Sequence, residues 1–175
     1  MSAQPNGRRT FLKAINVAIG GIIAAIFAVP GMRVLIFPAR RRVVEGPEGF
    51  LPVASASAVG AKPLRVEVIA GAHRDAWVRT ENVRLGAAWL VRDGERIRAF
   101  TATCPHLGCS VDFDAAAGNF RCPCHTSAFA AATGERIEGP AKRGMDPLET
   151  QVDEQGRVSV RFRRFKQDSA SREEV

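Results

Sequence analysis

The chain has 175 residues, 46% of them hydrophobic and 25% charged, with 16 glycines, 10 prolines, four cysteines and no tyrosine. That is room for one ordinary domain plus an extension, and it is too apolar for a disordered chain. The net charge of +7 would by itself suggest nucleic acid or acidic lipid. Residues 1–49 carry seven basic and two acidic side chains and residues 50–175 eighteen and sixteen, so the excess flanks a hydrophobic segment. It reads as topology and lipid contact, and no nucleic-acid partner is expected.

Residues 1–13 end in Arg8-Arg9-Thr10-Phe11-Leu12-Lys13. An arginine pair ahead of Phe-Leu-Lys and an apolar run resembles the twin-arginine export signal, whose route carries folded proteins. Ala14 to Met32 are nineteen residues without a charge. A helix of that length spans about 28 Å, close to the roughly 30 Å of a bilayer's hydrocarbon core. A single-pass anchor over 14–37 is expected, with Arg33 snorkelling at one interface and Pro38 ending the helix. The nearest A-x-A site, Ala54 to Ala56, lies more than twenty residues past Met32, so the anchor is expected to stay uncleaved. Flanking charge conflicts with orientation, since Arg8, Arg9 and Lys13 face Arg33, Arg40, Arg41 and Arg42. The export signal decides for a C-terminal head in the periplasm, or on the outer face, of a bacterial cytoplasmic membrane. Residues 38–48 read as a linker or hinge.

From residue 49 to 166 the pattern is antiparallel β. Phe50–Val53 and Leu64–Ile69 are short apolar runs, and Ala87–Val91 and Arg96–Thr101 flank an Asp93-Gly94 turn. Leu148–Val152 and Val158–Phe162 flank a second turn at Gln155-Gly156. Val158, Val160 and Phe162 alternate with Ser159, Arg161 and Arg163, as in a strand with one wet face. No amphipathic helix of ordinary length stands out. Trp77 and Trp89 read as core, His73 as a surface or loop residue, and residues 167–175 as a polar, frayed tail.

All four cysteines and two of the three histidines lie in Cys104-Pro-His106-Leu-Gly-Cys109 and Cys122-Pro-Cys124-His125-Thr126-Ser127. Cys104 and His106 form a C-x-H pair, Cys122 and His125 a C-x-x-H pair, and each pair can reach one metal site from a single tight loop. Two thiolates and two imidazoles suit a tetrahedral zinc or a two-iron cluster. Cys109 and Cys124 sit in matching places, where a disulfide would staple the loops, but four cysteines allow three pairings.

These two boxes resemble those of Rieske iron-sulfur proteins of the cytochrome bc class. The resemblance implies an all-β, Rieske-type antiparallel head with a cluster-binding insertion at about 101–140, behind one N-terminal transmembrane helix. It implies one [2Fe-2S] cluster, with Cys104 and Cys122 on the buried iron, His106 and His125 on the exposed iron, and a Cys109–Cys124 disulfide. By the same resemblance His125 faces the quinol, Leu107 shields the cluster, and Ser127 donates to a cluster sulfide. Gly139-Pro140 would start the loop over the cluster's far side, a match that departs at Lys142-Arg143. Phe129 stands where many high-potential members have a tyrosine that donates to a ligand sulfur. Thr126 replaces the family's usual glycine.

The function so implied is the electron-transfer subunit of a quinol:cytochrome c oxidoreductase in a respiratory chain. Its partners would be cytochrome b, a c-type cytochrome and quinol, with menaquinol favoured by Phe129. The active site would be completed by the assembled complex. The rivals are the Rieske small subunit of an arsenite-oxidase-like molybdenum enzyme and a zinc-stapled periplasmic binding module.

Overall fold

The computed structural model describes residues 7–36, 43–44, 49–74 and 79–175. It divides into two compact units, an N-terminal one containing a helix and a β head. Trp77 and most of the expected hinge lie outside the described residues.

Helix α1 runs from Gly7 to Ile36, thirty residues with Pro30 inside and Arg33 in the last turn. It starts seven residues before the expected anchor, so Arg8 and Arg9 lie in its first turn. None of its side chains is buried. It is long and apolar enough to cross a membrane, with a mean hydropathy of 2.1 over its most apolar window.

Among the described residues the head holds eleven strands in two sheets. The larger has the order β1 (Val43–Val44), β3 (Leu64–Arg74), β4 (Arg79–Asp93), β5 (Arg96–Thr101), β10 (Pro147–Val152), β11 (Arg157–Arg161) and β2 (Phe50–Ser55). The smaller has the order β6 (Asp112–Asp114), β7 (Asn119–Arg121), β8 (Ala128–Ala130) and β9 (Arg136–Glu138). The small sheet falls in sequence between β5 and β10, which is the expected insertion. Two residues of the expected linker, Val43 and Val44, pair with His73 and Ala72. His73 is therefore in a strand, not a loop.

Both expected hairpins form. Asp93 pairs with Arg96 across the Asp93-Gly94 turn, and Val152 with Val158 across the second. Val158 and Val160 are fully buried, and Arg161 on the wet face lays its guanidinium over the Phe50 ring at 4.6 Å.

Strand β4 joins two cores through the two-residue period of a strand. Its Ala88 and Leu90 face the core of the large sheet with Val68, Ile97 and Val158. Ala87, Trp89 and Val91 face a second core with Phe100, Val111, Phe120, Phe129 and Met145. Trp89 is buried as expected, and its indole N–H donates to the Val111 carbonyl at 2.9 Å. The cluster-binding insertion is thus built on the back of β4 and β5.

A further expectation fails. The polar tail is folded back against the head instead of fraying. Phe165 bridges Glu174, the Lys166 N–H donates to the Glu173 carbonyl, and the Val175 N–H donates to the Arg164 carbonyl. Composition misled because the tail is held by backbone bonds and ion pairs, not by apolar burial.

Candidate metal centre

The two cysteine boxes form one loop twice. The Cys104 N–H donates to the Cys109 carbonyl and the Gly108 N–H to the Cys104 carbonyl. At the same offsets, the Cys122 N–H donates to the Ser127 carbonyl and the Thr126 N–H to the Cys122 carbonyl. Each loop needs a left-handed residue four positions after its first cysteine. Gly108 has φ 82°, and Thr126 has φ 59°. A β-branched residue at positive φ is an outlier. The Thr126 hydroxyl donates to the His125 carbonyl at 2.8 Å and holds the turn locally.

The loops face each other. Cys104 and Cys122 are 1% and 3% exposed and both are free thiols. His106 is half-buried and His125 exposed, with ring centroids 4.8 Å apart at 86°. The sulfurs are therefore inside and the imidazoles at the surface. Cys109 and Cys124 are joined by a disulfide. The Cys122 sulfur also lies within 4.8 Å of both disulfide sulfurs. Those two are bonded to each other and cannot ligate, which leaves Cys104 as the thiol partner of Cys122. A ribbon using all four cysteines on zinc is excluded by the same bond.

Burial pushes the Cys104 thiol up to about 11; hydrogen bonds from the His106 and Leu107 backbone N–H groups pull it down, and the neighbouring Cys122 raises it. A metal must displace that proton to bind. Two dry thiols beside two surface imidazoles fit a two-metal group that separates its ligands by type.

Beneath the second loop Ser127 is fully buried, and its hydroxyl oxygen accepts from the Ala141 N–H at 3.2 Å. Its own proton finds no acceptor among the described residues, so it is available to a bound group. Gly139 has φ 91°, and a Cβ there would lie 2.4 Å from Ser127 Cα. Pro140 follows at the surface. Phe129 is fully buried in β8 opposite Phe120. Leu107 is 59% exposed beside the histidines, an apolar tip rather than a packed side chain. Arg143 and the tail residue Asp168 were not among the residues expected at the site. Asp168 reaches the first loop through its backbone N–H, and Arg143 holds the tail through the Lys166 and Ser169 carbonyls, contacts with backbone groups that leave no residue pattern.

Breaking the disulfide by a Cys109→Ser, Cys124→Ser double substitution removes the closure of a loop whose ends are fifteen positions apart. Such a closure is worth about 3 kcal/mol, and the small insertion has little other core to replace it. Thermal denaturation and iron content per chain should both fall. An unchanged melting temperature would show that the disulfide does not hold the loops.

Folded this way, the chain is a metalloprotein of the iron-sulfur class, with paired loops on a β base. It belongs to the Rieske [2Fe-2S] domain family, whose model matches residues 53–154. The cofactor is accordingly a [2Fe-2S] cluster, and the zinc module is set aside. The chain is 30% identical over 154 residues to the cytochrome b6-f complex iron-sulfur subunit of Synechococcus sp. (strain JA-3-3Ab), covering 86% of this chain and 85% of that one. It is 30% identical over 149 residues to the menaquinol:cytochrome c reductase iron-sulfur subunit of Bacillus subtilis (strain 168), covering 83% and 86%. Among solved structures it is similar to the plasma membrane Rieske protein of Synechocystis PCC 6803, at 35% identity and a TM-score of 0.39 over 51% of this chain and 85% of that one.

Proposed function

We propose that this chain is the Rieske subunit of a membrane cytochrome bc-type complex, passing electrons from quinol, menaquinol by preference, to a c-type cytochrome. The observation that carries this reading is the separation of donors, with Cys104 and Cys122 buried and His106 and His125 edge to edge at the surface. Cys104 and Cys122 would hold one iron of the cluster, and His106 and His125 the other. The bound [2Fe-2S] cluster supplies one-electron transfer. His125, the more exposed ring, accepts the quinol hydroxyl's hydrogen bond and takes its proton. Leu107 keeps water from the approach, and Ser127 donates its free proton to the cluster. Gly139 and Pro140 let the segment ending in Ala141 lie close over Ser127.

Helix α1 anchors the chain, Arg8-Arg9 directs export, and the head lies outside the cytoplasm, where a Cys109–Cys124 disulfide persists. Cytochrome b and a c-type cytochrome are the partners, as the names of the relatives suggest.

The test is an EPR-monitored redox titration of the full chain in detergent. A rhombic two-iron signal on mild reduction is expected, and a spectrum without it, from a sample loaded with iron, would sink the reading. The menaquinol preference rests on Phe129. A tyrosine hydroxyl on a ligand sulfur contributes roughly 1.5–3 kcal/mol, part of which differs between redox states. At about 59 mV per tenfold for one electron, Phe129→Tyr should raise the midpoint by several tens of mV. An unchanged midpoint would remove the argument for menaquinol while leaving the cluster in place.

A further inference from the structure

The tail beyond Lys166 lies outside residues 53–154, which the family model matches, and Lys142-Arg143 lies inside them, where the sequence leaves its resemblance to the family's proline loop. The structure joins these two anomalies. The Arg143 guanidinium is buried, paired with both carboxylate oxygens of Asp146 at 2.8 Å, and donates to the carbonyls of Ser169 at 2.6 Å and Lys166 at 2.9 Å. Lys142 Nζ donates to the Asp168 carbonyl and pairs with its carboxylate, each at 3.1 Å. Both residues clamp the tail.

What the clamp holds is one backbone N–H. Asp168, at φ 52°, donates it to the carbonyls of Pro105 and His106 together, each at 2.9 Å. Those carbonyls share peptide planes with the N–H groups of His106 and Leu107, two and three residues past Cys104 in the same loop, whose ends the Cys104 and Cys109 backbones join. In a trans peptide the C=O and N–H point opposite ways. The tail therefore grips both planes from the side opposite their N–H groups, orients those N–H groups into the loop that carries Cys104 and polarises them.

We propose that residues 167–175 form a strap that sets the reduction potential of the cluster, by positioning the His106 and Leu107 N–H groups on the Cys104 sulfur through the Asp168 N–H. Asp168 is a positioning residue, with Lys142 and Arg143 as its anchors. Reduction adds negative charge to the cluster, and N–H donors at a ligand sulfur favour that state. Loosening the strap lowers the midpoint. The inference rests on Cys104 being a cluster ligand.

The test is the midpoint of the full chain in detergent against three variants, each with its EPR spin count. Truncation after Lys166 removes the strap's N–H and should shift the reduction equilibrium three- to tenfold toward the oxidised form, a fall of about 28–59 mV at 59 mV per tenfold. The lost residues carry three acidic and one basic side chains. Their charge alone would move the midpoint upward, so a rise overturns the proposal. Asp168→Gly tolerates the positive φ, keeps the N–H and the carbonyl that Lys142 Nζ also holds, and removes an acidic charge, so its midpoint should not fall. A fall as large as the truncation's would assign the effect to the side chain and overturn the proposal. Lys142→Met loosens the strap without touching the loop and should give a smaller fall, one that persists at high salt, where the loss of its exposed positive charge is screened. It decides the matter where the truncated chain fails to hold iron, since an unchanged Lys142→Met midpoint then makes the strap merely structural. A full chain that shows no rhombic signal before any substitution defeats the cluster assignment itself, which a signal with an unmoved midpoint does not.

Discussion

Gly139→Ala is expected to destabilise the head by about 2–5 kcal/mol and to strip the cluster-binding sheet of its order. Two costs add. A side chain in the left-handed region costs roughly 1–2 kcal/mol, and forcing an extra carbon into a packed interior roughly 1–3. The added Cβ would meet Ser127 at its Cα (2.4 Å), its N (2.8 Å) and its Oγ (2.8 Å). The backbone cannot rotate away, so either residues 139–141 lift off or the second loop shifts. Each breaks the bond from the Ala141 N–H to Ser127. Gly118→Ala separates the two costs, because Gly118 has φ 66° with nothing within 4 Å of the added carbon. Thermal melts should show Gly139→Ala losing roughly 10–20 °C and Gly118→Ala only the smaller share. Equal losses would mean that the approach to Ser127 is not what requires glycine.

Arg143→Ala should cost about 3 kcal/mol, at the low end of the 3–5 typical for breaking a buried ion pair. It strands Asp146, whose side chain is only 5% exposed, and frees the carbonyls of Lys166 and Ser169. The low end applies because Arg172 Nε stays 3.6 Å from the Asp146 carboxylate and supplies partial compensation. Most of the penalty is the uncompensated charge left behind, so the double variant Arg143→Ala, Asp146→Ala should be more stable than Arg143→Ala alone. Denaturant titration measures both. A double variant less stable than the single would show the carboxylate to be satisfied by other means.

The strands were legible because each turn residue stood between runs of the right period. Asp93-Gly94 and Gln155-Gly156 became hairpin turns, and Val158 and Val160 took the buried face. Strand β4 was only half visible: Ala87–Val91 stood out as an apolar run before the turn, while the first half of the strand, from Arg79 to Gly86, is mostly polar and charged and offers no such run. The site was legible in its donor types and in the spacing within each box. The tail was misread because nothing apolar marks it. Its order comes from Asp168, Lys142 and Arg143, far apart in sequence and bonded mainly to carbonyls that every residue possesses.

By itself the sequence determined the family, the β character of the head, a helix long enough to cross a membrane, and four candidate metal ligands, Cys104, His106, Cys122 and His125. Those are properties of residue type and local spacing, which a linear chain carries openly. The tertiary structure alone decided which cysteines are bonded, which donors are dry, how close Gly139 comes to Ser127, and that the tail returns to the first loop. Each of these depends on groups distant in sequence meeting in space, and on backbone N–H and C=O groups that are alike at almost every position.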